Sequence, residues 1–212
     1  MKSILSLLPL ASLLLPLGAS ASPCIPQGVT ITAQQILHVA PNSTTCANAP
    51  ASTLGECATA AQAAPALSAA FTKYTLTSKA EQAAVLGLIA FESGEFEYNR
   101  NHHPGVPGQG TRNMQSPAFN AKYAASIPAI KDQAEAVKDD PDAVLDLLVA
   151  VPEYDFGSGA WFLTTQCEES VRTALQSGSE AGWRGFIVDC VGTEANDARR
   201  KYWVRAVEAL GA

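Results

Sequence analysis

The stretch "SKAEQAAVLGLIAFESG", Ser78 through Gly94, decides the fold. Ser78-Lys79-Ala80-Glu81 pairs a hydroxyl residue with a glutamate three positions later, a capping-box pattern, and an apolar run follows. Ala83, Ala84, Val85, Leu86, Leu88, Ile89, Ala90 and Phe91 then occupy every side of a helix. A helix apolar all round is buried, so this one is expected at the centre of a domain with other helices around it. Gly94 is a natural stop. From about Tyr98 to Ser116 the chain reads as a long loop, with His102-His103-Pro104-Gly105 and Pro107-Gly108-Gln109-Gly110. Loops of that length inside a compact domain are usually functional.

Outward from this centre, helical signals dominate. Ala60, Ala63, Ala64, Leu67, Ala70, Phe71 and Tyr74 recur at helical spacing, with a kink or break expected at Pro65. Further helices are expected over 117–126, 140–150, 168–176, 180–191 and 194–210. Asp140 ahead of Pro141, then Ser179 and Thr193, are the caps. Asp155-Phe156-Gly157-Ser158-Gly159 reads as a Gly-rich turn. Alternating β-branched runs are scarce, and neither a repeat nor a long linker is visible. The expectation is a single all-α domain over 56–212, with 22–55 as an N-terminal extension.

Lys2, the apolar run Ile4–Leu17 and Ala19-Ser20-Ala21 make an n-region, an h-region and a cleavage site. Residues 1–21 are therefore expected to be a secretory signal peptide, and the protein to be secreted. Its removal takes away one lysine and moves the formal net charge from -6 to about -7. An acidic chain with scattered basic residues is a poor nucleic-acid binder, and no second apolar run suggests a membrane partner. A monomer is expected. The five cysteines fit an oxidising compartment. The expected pairs are Cys46–Cys57 and Cys167–Cys190, leaving Cys24 over. Asn42-Ser43-Thr44 is an N-glycosylation sequon in a polar, Pro-flanked stretch.

Glu92 stands where the buried helix meets the polar loop. Burial raises a carboxyl pKa, and the unpaired carbonyls of a helix's last turn push it the same way. A carboxyl protonated near neutral pH is suited to general-acid work, and glycoside cleavage is the reaction that most often requires one.

Glu92-Ser93, Phe96, Gly110 and Asn113-Met114-Gln115 before Ser116-Pro117 resemble the core motif of goose-type lysozymes and soluble lytic transglycosylases. In that family a Glu-Ser pair ends the central helix, and a Gly-rich loop leads to Gly-Leu-Met-Gln. Here Arg112-Asn113 stands in place of Gly-Leu, and the likeness covers about thirty residues. The resemblance implies a lysozyme-like fold and a divergent, secreted, fungal muramidase of the lysozyme superfamily. It implies a glycoside hydrolase acting on β-1,4 bonds of peptidoglycan. Chitin or chitosan is the alternative substrate, and a non-catalytic glycan-binding effector the alternative role. Carried over, Glu92 is the acid and Ser93 orients it, while Asn113, Met114 and Gln115 contact substrate. No cofactor and no metal are implied.

A second carboxylate would sit about 5–5.5 Å from the acid in a retaining enzyme, or about 6.5–9.5 Å away in an inverting one. Asp155, in its Gly-rich turn, is the expected partner, although the lytic enzymes manage with one Glu. Tyr154 and Trp161 are expected to line the cleft as stacking aromatics. His102-His103 reads as a polar turn rather than a metal site. Arg199-Arg200-Lys201 reads as a solvated helix face.

Overall fold

The computed structural model describes residues 28–212. The expected signal peptide and Cys24 lie outside the described residues. Among the described residues the chain is helical and has no β-strand. Its extended pairings are isolated bridges, Arg100 with Gly110 and Gly110 with Gln115. Both expected disulfides are formed, Cys46–Cys57 and Cys167–Cys190. No helix in this range is long and apolar enough to cross a membrane.

The helices, in chain order, are α1 Ala33–Val39, α2 Ala60–Lys73, α3 Lys79–Glu92, α4 Pro117–Ala125, α5 Lys131–Ala136 and α6 Pro141–Val149. Then come α7 Pro152–Asp155, α8 Ser158–Gln166, α9 Glu169–Gln176, α10 Glu180–Gly185, a π-helical turn Phe186–Val191, and α11 Asp197–Leu210. Local chemistry sets most of the boundaries. The Ser78 hydroxyl accepts the Glu81 N–H to start α3, and the Asp140 carboxylate accepts the Asp142 and Ala143 N–H groups to start α6. Ser179 caps α10 as expected. α2 carries Pro65 internally and does not break there, because its buried side supplies Ala63, Ala64, Leu67, Ala70 and Phe71 to the core.

Three sequence expectations change. Asp155–Gly159 is not an open turn: Asp155 ends α7, and Ser158 and Gly159 begin α8. The expected 180–191 helix is α10 plus a π-helical turn, stopped by Gly192 in the left-handed region (φ 76°). The last helix is capped by Asn196, whose side-chain oxygen accepts the Arg199 N–H, so Thr193 is left outside it.

Eleven of the fourteen α3 residues, Ala80 through Ala90, are buried, including the polar Glu81 and Gln82. Gln82 donates to the Leu76 carbonyl, and Glu81 accepts from Arg172 at 2.9 Å. One large apolar cluster gathers α1, α2, α3, α9, α10 and α11, with Trp183 stacked on Trp203 at 5.1 Å. A smaller one joins α4, α5 and α6 through Tyr123, Ile127, Val144 and Leu148. Helix α8 serves both, giving Ala160 and Leu163 to the first and Trp161 and Phe162 to the second. Residues 28–55, read from sequence as an extension, pack onto the helical body: Ile31, Ile36 and Val39 belong to the large cluster.

The central packing turns on Gly87. A Cβ there would lie 2.9 Å from both the Cα and the N of Trp203. Only hydrogen fits between the two backbones, so α11 lies directly against α3. Gly87→Ala is expected to force the helices apart and destabilise the fold by about 1–3 kcal/mol. A urea midpoint equal to wild type would show that the contact is looser than described.

Candidate functional site

Glu92 ends α3 and Arg199 lies in the first turn of α11. Because the two helices touch at Gly87, the side chains meet. Arg199 Nε donates to Glu92 Oε1 at 3.0 Å, and Nη2 lies 2.9 Å from the same oxygen as an ion pair. Arg199 Nη1 donates to the Glu194 carbonyl, and its guanidinium lies 4.7 Å from the Phe91 ring centre. Both side chains are mostly withdrawn from water, at 18% and 16% exposure. Burial pushes the Glu92 carboxyl above the ordinary carboxylate range, while the charge and hydrogen bonds of Arg199 pull it down. Among the described residues, every hydrogen bond to Glu92 ends on Oε1.

The pair borders a cavity of about 300 Å³. Leu88, Phe119, Phe162 and Val191 form its apolar wall. These residues come from α3, α4, α8 and the π-helical turn, so the cavity opens where the two apolar clusters meet. The Cys167–Cys190 disulfide ties the end of α8 to that turn and fixes the position of Val191. A second cavity of about 270 Å³ shares Glu92, Gln109 and Met114 with the first and adds Tyr98, Arg100, Asn101, His102 and His103. The two make one groove past Glu92, apolar on one side and polar on the other.

The 98–116 loop is held in place by a chain of buried polar contacts. Thr111 and Ser158 donate to Asn113 Oδ1, Asn113 donates to Gln115, Gln115 to Asn120, and Asn120 to the Gly108 carbonyl. Gln109 donates to the Met114 carbonyl at 3.0 Å. Asn113 and Gln115 therefore line the groove with much of their hydrogen-bonding capacity already used, and Met114 sits beside them with φ 49°.

Other expected site residues sit differently. Ser93 is fully buried; it donates to the Ile89 carbonyl and accepts the Phe96 N–H. It shapes the helix end and makes no hydrogen bond to the Glu92 carboxyl. The backbone that follows is left-handed at Gly94, Glu95 and Phe96. Such φ values cost non-glycine residues about 1–3 kcal/mol each. Burial of Phe96 against Phe156 and two bonds to Glu95, from the Asn42 N–H and the Tyr202 hydroxyl, hold it. Trp161 is core, 4.9 Å from the Tyr123 ring, and neither it nor Tyr154 lines the groove. The turn expected at 155–159 is the end of α7 and the start of α8, and α8 carries Trp161 into the smaller apolar cluster. Asn42 of the sequon is exposed. No three His, Cys, Asp or Glu side chains among the described residues are grouped to hold a metal ion.

Asp155 is not in the groove. It is 2% exposed and forms a buried ion pair with Arg112 Nε at 2.8 Å. Arg112 also donates to the Phe96, Tyr98 and Glu56 carbonyls, so one guanidinium ties α7 to three points of the loops. This is the residue that stands where the lysozyme motif has glycine. Burial pushes the Asp155 carboxyl up to about 6, against the opposing pull of Arg112 and Asn99. Its Oδ1 and the Oδ1 of Asn99 are both buried with no hydrogen-bond partner among the described residues. Arg199, by contrast, was read as a solvated face. Its role was invisible because only tertiary packing brings position 199 to position 92.

The fold and site thus define a disulfide-stapled, all-α domain with an amphipathic groove around one Glu–Arg pair. No family model matches the chain. A curated protein of Fusarium oxysporum (strain Fo5176), named bifunctional dioxygenase (DOX)-epoxy alcohol synthase (EAS), is 49% identical to it over 156 residues. Those residues are 71% of this chain and 12% of that protein, so most of the relative's length lies outside the likeness. The finding corrects the reading taken from the thirty-residue motif. A likeness over 156 residues outweighs one over thirty, and the relative is named for oxygenation and epoxy alcohol formation, not for glycoside hydrolysis. The lysozyme-superfamily muramidase, its peptidoglycan, chitin or chitosan partner and the glycan-binding alternative are set aside with it.

The Asp155 carboxyl sets a pH dependence. Its folded pKa, about 6, lies above the ordinary aspartate value, so the folded state holds the proton more tightly. Stability from this group is therefore full below pH 4 and falls as pH rises to about 6, by a few kcal/mol at most. Urea midpoints between pH 4 and 7 should show this leg, and Asp155→Asn should flatten it. A wild-type profile that rises steadily over the same range would contradict the assignment.

Proposed function

We propose that the groove binds a small amphipathic molecule with an oxygenated end. An epoxy alcohol, the product for which the Fusarium relative is named, is of this class. The hydrocarbon part lies along Leu88, Phe119, Phe162 and Val191, and the oxygenated end meets Glu92 and Arg199. The observation that carries this is the meeting, in one cavity, of an apolar wall and the mostly buried Glu92–Arg199 pair. Concave sites that are mostly apolar with a few convergent polar groups are the usual form of small-molecule sites.

The proposal concerns binding. The relative's dioxygenase and synthase activities are not carried over, because the likeness covers 12% of that protein. The reading rests on the all-α, disulfide-stapled architecture of residues 56–212 with 28–55 packed against it; the finer likening to lysozymes has no part in it. It also takes residues 1–21 as a leader, so that the domain meets its ligand outside the cell.

Calorimetric titration of the purified protein with a medium-chain epoxy alcohol tests this, with a soluble β-1,4-linked amino-sugar oligomer as control. Saturable binding of the epoxy alcohol is expected. Phe119→Ala, which trims the wall at a half-buried position, should weaken it about tenfold, equivalent to roughly 1.4 kcal/mol. Saturation by the sugar oligomer with no response to the epoxy alcohol would overturn the proposal.

A further inference from the structure

Glu92 and Arg199 form the one ion pair lying wholly on the groove lining among the described residues. Arg100 also lines the groove, but it pairs outward with Asp146; His102 pairs with Glu56. Arg199 has two contacts that do not involve the Glu92 carboxyl. Its Nη1 is bonded to the Glu194 carbonyl and its guanidinium lies over Phe91, so loss of the carboxylate partner leaves a cation already aimed at the cavity. Guanidinium presents five donors in a fixed fork, which matches a carboxylate. Glu92, for its part, has Oε2 free of protein hydrogen bonds among the described residues.

We infer that the groove takes an anionic amphiphile of the carboxylate class, that Arg199 is its partner, and that the incoming anion displaces Glu92, which takes up one proton from solvent. This rests on the reading of the groove as an amphiphile site and names the chemistry of the ligand's head. The exchange leaves no carboxylate unpaired. In the free protein Glu92 neutralises Arg199; in the complex the ligand does, and protonated Glu92 remains beside it as a hydrogen-bond donor. Binding of one anion is coupled to uptake of one proton, so affinity rises as pH falls through the range in which Glu92 titrates.

The titratable and charged groups facing Glu92 are few. α11 supplies Arg199, and the 98–116 loop supplies Tyr98, Arg100, His102 and His103. The groove-lining positions of α4 and α8 and of the π-helical turn, Phe119, Phe162 and Val191, carry no charge. The two histidines are the groups whose titration could imitate that of Glu92, and the experiment separates them.

Decan-1-ol below its solubility limit and decane-1-sulfonate below its micellar concentration are titrated into the purified protein between pH 5 and 8. The alcohol is neutral and the sulfonate a permanent anion, so neither titrates. The alcohol should bind with no pH dependence. The sulfonate should tighten as pH falls, by up to tenfold per unit, the limit for one linked proton. Glu92→Gln should bind the sulfonate at pH 8 at least as tightly as wild type does at pH 5, and the pH dependence should vanish. Arg199→Met should bind the sulfonate no better than the alcohol, with thermal melting confirming that the variant is folded.

Failure of both probes to bind would remove the amphiphile reading itself. Binding of the alcohol without the sulfonate would leave that reading standing and overturn the carboxylate inference. A pH slope that persists in Glu92→Gln would assign the proton to His102 or His103 and also overturn it.

Discussion

The close approach of α3 and α11 at Gly87 is the constraint on which the groove depends. With a hydrogen in place of a side chain, the Trp203 backbone rests against the central helix. The two helices run antiparallel, so moving toward the end of α3 means moving toward the start of α11. One register then produces three pairings: Trp203 at Gly87, Tyr202 against Phe91, and Arg199 on Glu92. Tyr202 also donates to Glu95, just beyond the helix end. The charged pair is therefore set by a backbone contact more than a turn away from it.

The groove exists because the molecule has two apolar clusters rather than one. Helix α8 belongs to both, and the cavity opens along the line where they meet. The 98–116 loop closes the polar side and is not slack. Its amide side chains bond one to the next, and Arg112 holds its base through four hydrogen-bonded partners. A buried guanidinium with its carboxylate is a costly arrangement to assemble and a more costly one to break. Here the pair shapes the loop, and the groove chemistry is left to Glu92 and Arg199.

The thirty-residue resemblance misled for a physical reason. A glutamate at the end of a buried helix, followed by a Gly-rich loop and a Met-Gln pair, is a local arrangement. It says that a carboxyl meets a cavity, which is the case, and it does not say what fills the cavity. The departure at Arg112 was the informative position. In place of glycine stands the arginine that pairs with Asp155, and this removes the expected second carboxylate from the site. Trp161 was misplaced for a related cause: the glycines at 157 and 159 suggested an open turn, whereas they serve close packing. A Cβ at Gly157 would lie 2.4 Å from the Glu153 carbonyl oxygen.

By itself the sequence determined what depends on neighbours along the chain. The buried central helix, its Ser78 start and its stop at Gly94 follow from apolar periodicity and capping chemistry, which act over a few residues. Most of the other helices and the position of Glu92 at the polar boundary follow in the same way. Tertiary structure alone decided which distant side chains meet. Arg199 looks like any solvated basic residue until Gly87 lets its helix come close, and Asp155 looks like a turn residue until Arg112 reaches it across 43 positions. Charge pairing and cavity shape depend on separation in space, and the register of two packed helices is not written in the periodicity of either one.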